Sequence, residues 1–197
     1  VVGTNAARVA AGMGADVTVL DQSFSRLRYL DNVFGNIFNN GYSNSASTAE
    51  LAQQADMIIG AVLIPGAAAP KLIHRDQLAS LKPGAVLVDV AIDQGGCFDT
   101  SHATTHENPI YEVDSIMHYC VANMPGAVAR TSTIALGNAT MPFILALANK
   151  GWQQACADDE HLLNGLNVHA GKLTHTAVGE ALGIETVTPD LSLRQLA

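Results

Sequence analysis

Asp93 stands directly after an apolar run, Ala85 to Ile92, and directly before Gln94-Gly95-Gly96. Paired glycines allow unusual backbone angles and close approach of a ligand, and a carboxylate held beside them can take or give a proton. The same residue also suits a turn aspartate that bonds the backbone of Gly95. Asp21 closes the β-branched run Val17 to Leu20, 18 residues after Gly3. A carboxylate so placed hydrogen-bonds the ribose hydroxyls of a dinucleotide and repels a 2′-phosphate, which selects NAD over NADP. It equally suits the cap of the next helix. Gly3 fits the third glycine of a dinucleotide turn, where a helix packs closely on its strand and aims its N-terminus at a pyrophosphate. Plain close packing explains it as well.

Other candidates sit where apolar runs end. Met57 to Ile64 leads through Val62 and Leu63 into Pro65-Gly66, so these two side chains either line a cofactor cleft or fill the sheet core. Val121-Ala122-Asn123-Met124-Pro125 ends another run. There Asn123 offers an amide to a nicotinamide ribose or carboxamide and Met124 a surface for the ring, or the pair forms an Asx turn. Asp89 lies inside a strand and reads as structural, because a buried carboxylate needs partners. The pairs His102/His106 and His169/His175 lack neighbouring carboxylate or cysteine ligands, so no metal site is expected. No G-x-S-x-G nucleophile elbow is present. Cys97 reads as a small buried side chain, and Trp152 as part of an interdomain or subunit contact.

The elements that must position these residues alternate. Val1 to Gly14 reads as a helix with a glycine stop, Val17 to Leu20 as a strand, and Ser25 to Phe34 as a helix; a polar joint, Asn36 to Ser47, leads to a helix near Thr48 to Gln54. Met57 to Ile64 and Ala85 to Ile92 are continuous apolar runs of the kind buried on both faces of a parallel sheet. A helix over His74 to Leu81 lies between them, and an irregular segment with Pro109 leads to a strand over Ile116 to Ala122. This rhythm predicts an α/β fold, a doubly wound Rossmann-type parallel sheet. The opening helix resembles the one that follows a phosphate-binding turn, yet the strand and first two glycines of that turn are not in the sequence. The sheet is therefore expected to lack its first strand here, and the chain to be a fragment of a longer protein. Thr131 to Asn149 reads as one long helix with Pro142 inside it. A boundary near Ala129 divides a nucleotide-binding domain (1–129) from a C-terminal helical segment of a second domain (130–197).

Composition bounds the rest. Of 197 residues 48% are hydrophobic and only 14% charged, against about 25% in an average domain. This excludes disorder and predicts a surface covered by an oligomer partner or a further domain. The net charge of −8 excludes a nucleic-acid partner. No uninterrupted apolar run nears the roughly 18 residues of a membrane span, and no signal peptide is visible. Three dispersed cysteines without CxxC spacing predict a reduced, cytoplasmic chain.

Several segments together go beyond a generic nucleotide-binding pattern. VVGTNAARVAAGMGADVTVLD (Val1 to Asp21), RLRYLD (Arg26 to Asp31), IGAVLIPG (Ile59 to Gly66), KPGAVLVDVAIDQGGC (Lys82 to Cys97), HYCVANMPG (His118 to Gly126), RTST (Arg130 to Thr133) and LGNATMPF (Leu136 to Phe143) occur in order. In them the chain resembles the L-alanine dehydrogenase family. The resemblance implies a hexameric, NAD-dependent enzyme that converts L-alanine and water to pyruvate and ammonium. It implies Asp93 as the active-site carboxylate, also bordering the cofactor, and Asp21 at the adenosine ribose with Arg26 and Ser43 beside the adenosine. Val2 and Gly3 at the phosphate turn, Val62, Leu63 and Val90 in the cofactor cleft, and Val121, Asn123 and Met124 at the nicotinamide complete the set. The family's substrate-binding lysine, histidine and arginine belong to a region outside this sequence, so the isolated fragment is expected to be inactive. The hydride-transfer subunit of a transhydrogenase and a non-catalytic truncated module are the alternatives.

Overall fold

The computed structural model describes residues 1–62, 64 and 68–187, so Leu63 of the expected cleft lies outside the described residues. The chain divides into two compact units, residues 1–63 with 69–124, and residues 125–197 with 64–68.

In the first unit an alanine-rich helix, α1 (Val2–Gly12), is followed by strand β1 (Thr18–Asp21) and helix α2 (Phe24–Phe34). Ala7, Leu30 and Phe38 are buried together, with Val17, Val19 and Phe34 packed against them. β2 (Asn39–Tyr42) then pairs in parallel with β1, Asp21 opposite Tyr42. This strand falls in the stretch read as a polar joint. Asn-Asn-Gly-Tyr has poor β-propensity, and tertiary anchoring overrides it: Phe38 is buried just before the strand, and the Asn39 amide donates to the Val17 carbonyl at 2.8 Å. Helix α3 (Ser45–Gln54) opens with a reciprocal cap. The Asn44 side chain accepts from the Ser47 amide at 2.9 Å, and the Ser47 hydroxyl accepts from the Asn44 amide at 3.0 Å.

A second, four-stranded sheet has the order β3-β4-β6-β5. β3 (Met57–Gly60), β4 (Val86–Asp89) and β6 (Ile116–Tyr119) are parallel, with Gly60 opposite Asp89 and Val88 opposite Tyr119. The expectation of a parallel-dominated α/β sheet is met, with one addition. β5 (Ile110–Val113) is antiparallel to β6 and joined to it by Asp114-Ser115, both at positive φ (50° and 63°). Two left-handed residues between paired strands form a tight hairpin, and neither is the glycine or asparagine that usually signals one. The expected helix after His74 is a 3-10 turn, Arg75–Ser80. The core gathers Ile73, Leu78, Leu87, Phe98 and Ile116. α1 packs on both β1 and β3, whose other edges pair with no strand among the described residues.

The second unit holds α4 (Ala129–Asp158), which contains Pro142 and breaks at Gly151 (φ 74°), then α5 (Glu160–Asn164), the hairpin of β7 (Val168–His169) and β8 (Lys172–Leu173), and α6 (Thr176–Leu182). Trp152 lies against His169 within this unit, ring centroids 4.2 Å apart. The helical run from Met124 to Asp158 reaches a mean hydropathy of 1.3 over 18 residues, long and apolar enough by length and composition to cross a membrane. Unbroken apolar runs alone do not reveal it, because Gly137, Asn138 and Thr140 interrupt the run without lowering the average enough.

Gly60 sets the tightest packing in the sheet. A Cβ there would stand 2.0 Å from the Cys97 Sγ and 2.9 Å from the Phe98 ring. Gly60→Ala is expected to destabilise the protein by about 1–3 kcal/mol through overpacking, read from the urea unfolding midpoint.

His118 on β6 is fully buried, its Nδ1 at 3.0 Å from the Ile116 carbonyl and its Nε2 at 2.7 Å from the Thr100 hydroxyl. The Ile116 carbonyl only accepts, so Nδ1 carries the proton and Nε2 accepts from Thr100. Burial holds the imidazole below its ordinary value of 6.5. Below that pH the unfolded chain binds a proton that the folded chain refuses, so stability is full above about pH 6.5 and falls as pH drops toward the folded value. Urea midpoints between pH 8 and pH 5 should decline on acidification, and His118→Asn should flatten the decline.

Candidate functional site at the carboxyl edge of the strands

Parallel pairing puts the carboxyl ends of β3, β4 and β6 along one edge. Val62 follows β3, Val90 and Asp93 follow β4, and Val121, Asn123 and Met124 follow β6. The ladder continues past β4 where the Val90 amide donates to the Gly60 carbonyl at 2.9 Å. Past β6 it continues through Thr104, which pairs with Val121.

The N-terminus of α1 links this edge to the end of β1. A Cβ built on Gly3 would meet the Cβ of Ala61, just past β3, at 3.6 Å. That is ordinary contact, so packing there does not itself require glycine. One residue on, the Thr4 hydroxyl accepts from Arg26 Nη2 at 2.6 Å, and Arg26 lies in the first turn of α2 behind Asp21. Val1 is the N-cap of α1 and makes no side-chain bond there, and the partial positive charge of a helix N-terminus favours an anion.

Asp21 ends β1 half-buried. Its carboxylate accepts from the Ser23 amide at 2.8 Å and its carbonyl from the Ser43 amide at 3.0 Å. Asp21, Ser43, Arg26 and the start of α1 are therefore brought together. The helix cap for α2 is Ser23, whose hydroxyl accepts from the Arg26 amide at 3.2 Å. The capping alternative for Asp21 is thus taken up by its neighbour Ser23.

Asp93 lies on a 3-10 turn, Ile92–Gln94, and is exposed to solvent. The strand stops at Asp89, three residues before the apolar run does, because Asp89 turns the chain. Its carboxylate is fully buried and accepts from the Ala91 amide at 3.1 Å, the Cys97 amide at 2.8 Å and the Ser101 hydroxyl. Gly95 and Gly96 follow with φ of 83° and 72°, the left-handed region that only glycine enters freely. A Cβ on Gly96 would come within 2.8 Å of an Asp89 carboxylate oxygen. Asp93 is thus projected outward by a loop folded around a buried anion.

On the β6 side Asn123 adopts φ 61°, and its carbonyl lies 2.9 Å from His106 Nε2. Val121 is buried, while Val62, Val90 and Met124 are half-buried and Asn123 is exposed. A groove of about 360 Å³ is lined by His102, Thr104, Thr105 and Tyr111 among others, and by none of the residues expected at the site. No cluster of three potential metal ligands occurs among the described residues.

Two contributors carry no sequence signal. Thr4 fixes Arg26, and Lys71 donates to the backbone carbonyls of the Asp93 loop. Both bonds span more than twenty residues and follow no periodic pattern.

Cys97 is fully buried with its thiol 3.4 Å from Asp89. Burial, reinforced by that carboxylate, pushes the thiol far above its ordinary value. Iodoacetamide at pH 8 should therefore alkylate Cys97 about 10²-fold more slowly in the folded protein than in urea, as read by mass spectrometry of its peptide.

The family model "Alanine dehydrogenase/PNT, C-terminal domain" matches residues 1–176. An alanine dehydrogenase of Halomonas elongata is 63% identical over 95% of the chain, which covers 50% of that protein. A solved L-alanine dehydrogenase structure superposes with a TM-score of 0.81 at 47% identity, covering 92% of the chain and 50% of its own. A transhydrogenase from Sinorhizobium meliloti, 24% identical with a TM-score of 0.65 over 89% of the chain and 47% of its own, shares the fold. The chain spans about half the length of the relatives it matches.

Proposed function

Because the chain belongs to the alanine dehydrogenase/PNT C-terminal domain family, we propose that it is the NAD-binding portion of an enzyme that deaminates L-alanine to pyruvate and ammonium, reversibly. One observation carries the reading: Val62, Asp93 and Asn123 follow the carboxyl ends of the parallel strands β3, β4 and β6, and α1, packed on both β3 and β1, joins that edge to the sheet that ends at Asp21. Ligands of open α/β sheets bind at such an edge.

The residues present suit a dinucleotide. Val2 and Gly3, in the first turn of α1, would hold the pyrophosphate through backbone N–H groups, which the partial positive charge of a helix N-terminus favours. Asp21 accepts from the adenosine ribose hydroxyls, and its charge disfavours a 2′-phosphate. Arg26, held by Thr4, and Ser43, held on Asp21, border the adenosine. Val62, Leu63 and Val90 give the cleft apolar walls. Val121, Asn123 and Met124, which follow β6, would border the nicotinamide, with the Asn123 side chain supplying an amide.

NAD, when bound, supplies the acceptor for the hydride that leaves the amine-bearing carbon. Asp93 takes up the proton released as the amine becomes an imine, and returns it as water adds and ammonium leaves. Its exposed place on a loop fixed by Asp89 lets it exchange that proton without moving the backbone. Residues 130–197 belong to the substrate domain, and the groups that anchor alanine lie in the remainder of the protein. The apolar surface of α4 is covered by protein in a homo-oligomer, a hexamer by family likeness. The enzyme works in the cytoplasm with no nucleic-acid or membrane partner.

The test is alanine-dependent NADH formation by the complete protein. Asp93→Asn should lower turnover by about 10²-fold while NADH affinity, read by fluorescence titration, stays nearly unchanged. Wild-type turnover in that variant removes Asp93 from the mechanism, and absence of alanine-dependent activity in the parent overturns the reading itself.

A further inference from the structure

Lys71 directs its ammonium at three backbone carbonyls, those of Gly95 at 2.9 Å, Gly96 at 2.7 Å and Phe98 at 3.3 Å. All three donors of the group are thereby used. It forms no ion pair with a carboxylate among the described residues. We infer that Lys71 is the positioning residue of the Asp93 loop, holding Gly95, Gly96 and Phe98 in the one arrangement that presents Asp93 to substrate. The inference rests on the reading of Asp93 as the proton-moving carboxylate.

Three carbonyl oxygens aimed at one point repel each other unless a cation sits between them. Here that convergence follows from consecutive left-handed glycines, and glycine peptides reorient at little steric cost. The freedom that lets the loop wrap around Asp89 therefore also lets it relax once the charge is removed. The rest of the segment holds without the ammonium. The Ala69 amide donates to the Gln94 carbonyl at 3.1 Å, the Leu72 amide to Cys97 at 2.7 Å and the Asp99 amide to Ile73 at 3.0 Å. Asp89 grips the opposite side through the Ala91 and Cys97 amides. Loss of Lys71 should thus alter the geometry of residues 93–98 and leave the fold and the nucleotide-binding half of the edge in place.

The experiment compares Lys71→Met, Lys71→Gln and Lys71→Arg with wild type in the complete protein, alongside Asp93→Asn. Amide exchange over residues 94–98 should rise about tenfold in the Met and Gln variants and kcat should fall about tenfold. The Kd for NADH should stay within about twofold of wild type, and the arginine variant, which keeps charge and donors, should recover most of both losses. Exchange and kcat within twofold of wild type in Lys71→Met or Lys71→Gln overturn the inference. So does joint loss of folding and NADH binding in both, which would make Lys71 a residue of the fold alone. Normal turnover in Asp93→Asn defeats the reading of Asp93 instead, while the exchange data still judge the clamp.

Discussion

A carboxylate cut off from water at the last residue of a β-strand is costly unless every part of it is answered. Asp89 is answered by two backbone amides, a hydroxyl and a thiol, all from residues within twelve positions after it. Hydrogen bonds to an ionised acceptor are the stronger kind, so the chain after β4 folds back upon this group rather than continuing straight. The glycines follow from that demand. Gly96 must approach the Asp89 oxygen more closely than any side chain permits, and Gly60 must leave room for the Cys97 and Phe98 side chains that the fold-back brings over β3. Asp89, Gly60, Gly96 and Cys97 are one device, and the exposed position of Asp93 is its product.

The parallel register carries this local device to the rest of the edge. Gly60 stands opposite Asp89, so the end of β3 and the start of the Asp93 loop are fixed to one another residue by residue. α1 then spans from the end of β3 to the first turn of α2, through the Gly3–Ala61 approach and the Thr4–Arg26 bond. Electrostatics reinforces the arrangement. The open end of a helix favours negative charge, and Arg26 adds a cation beside it whose guanidinium also lies 4.9 Å from the Tyr29 ring centroid.

What could be read from the sequence tracks how local each physical cause is. β4 and β6, with no exposed position, are legible because burial on both faces demands largely apolar runs; β3, read in the same way, lies instead at the sheet edge among the described residues, with Met57 and Ile59 exposed. The Asp93 loop is legible because left-handed backbone demands glycine. β2 is not, since Asn39 to Tyr42 become a strand only through pairing with β1 and the anchoring of Phe38. β5 hides for a similar reason: its hairpin uses Asp114 and Ser115 at angles where sequence habits favour Asn-Gly. Lys71 and Thr4 hold their partners across more than twenty residues of chain, a relation that neither periodicity nor spacing encodes.

The low charge content of the chain has a structural counterpart in α4. Phe143, Ile144 and Leu145 are consecutive and all exposed, and successive helical residues point about 100° apart. With Ile134, Leu136 and Met141 also exposed, apolar surface extends around the helix rather than along one stripe. A one-sided amphipathic helix needs a single layer against it; a helix apolar on all sides needs cover from several directions. One additional domain laid against one face would leave the other faces in water. Cover from several directions is what the proposed homo-oligomer of the complete protein would supply, in keeping with a charged content of only 14%.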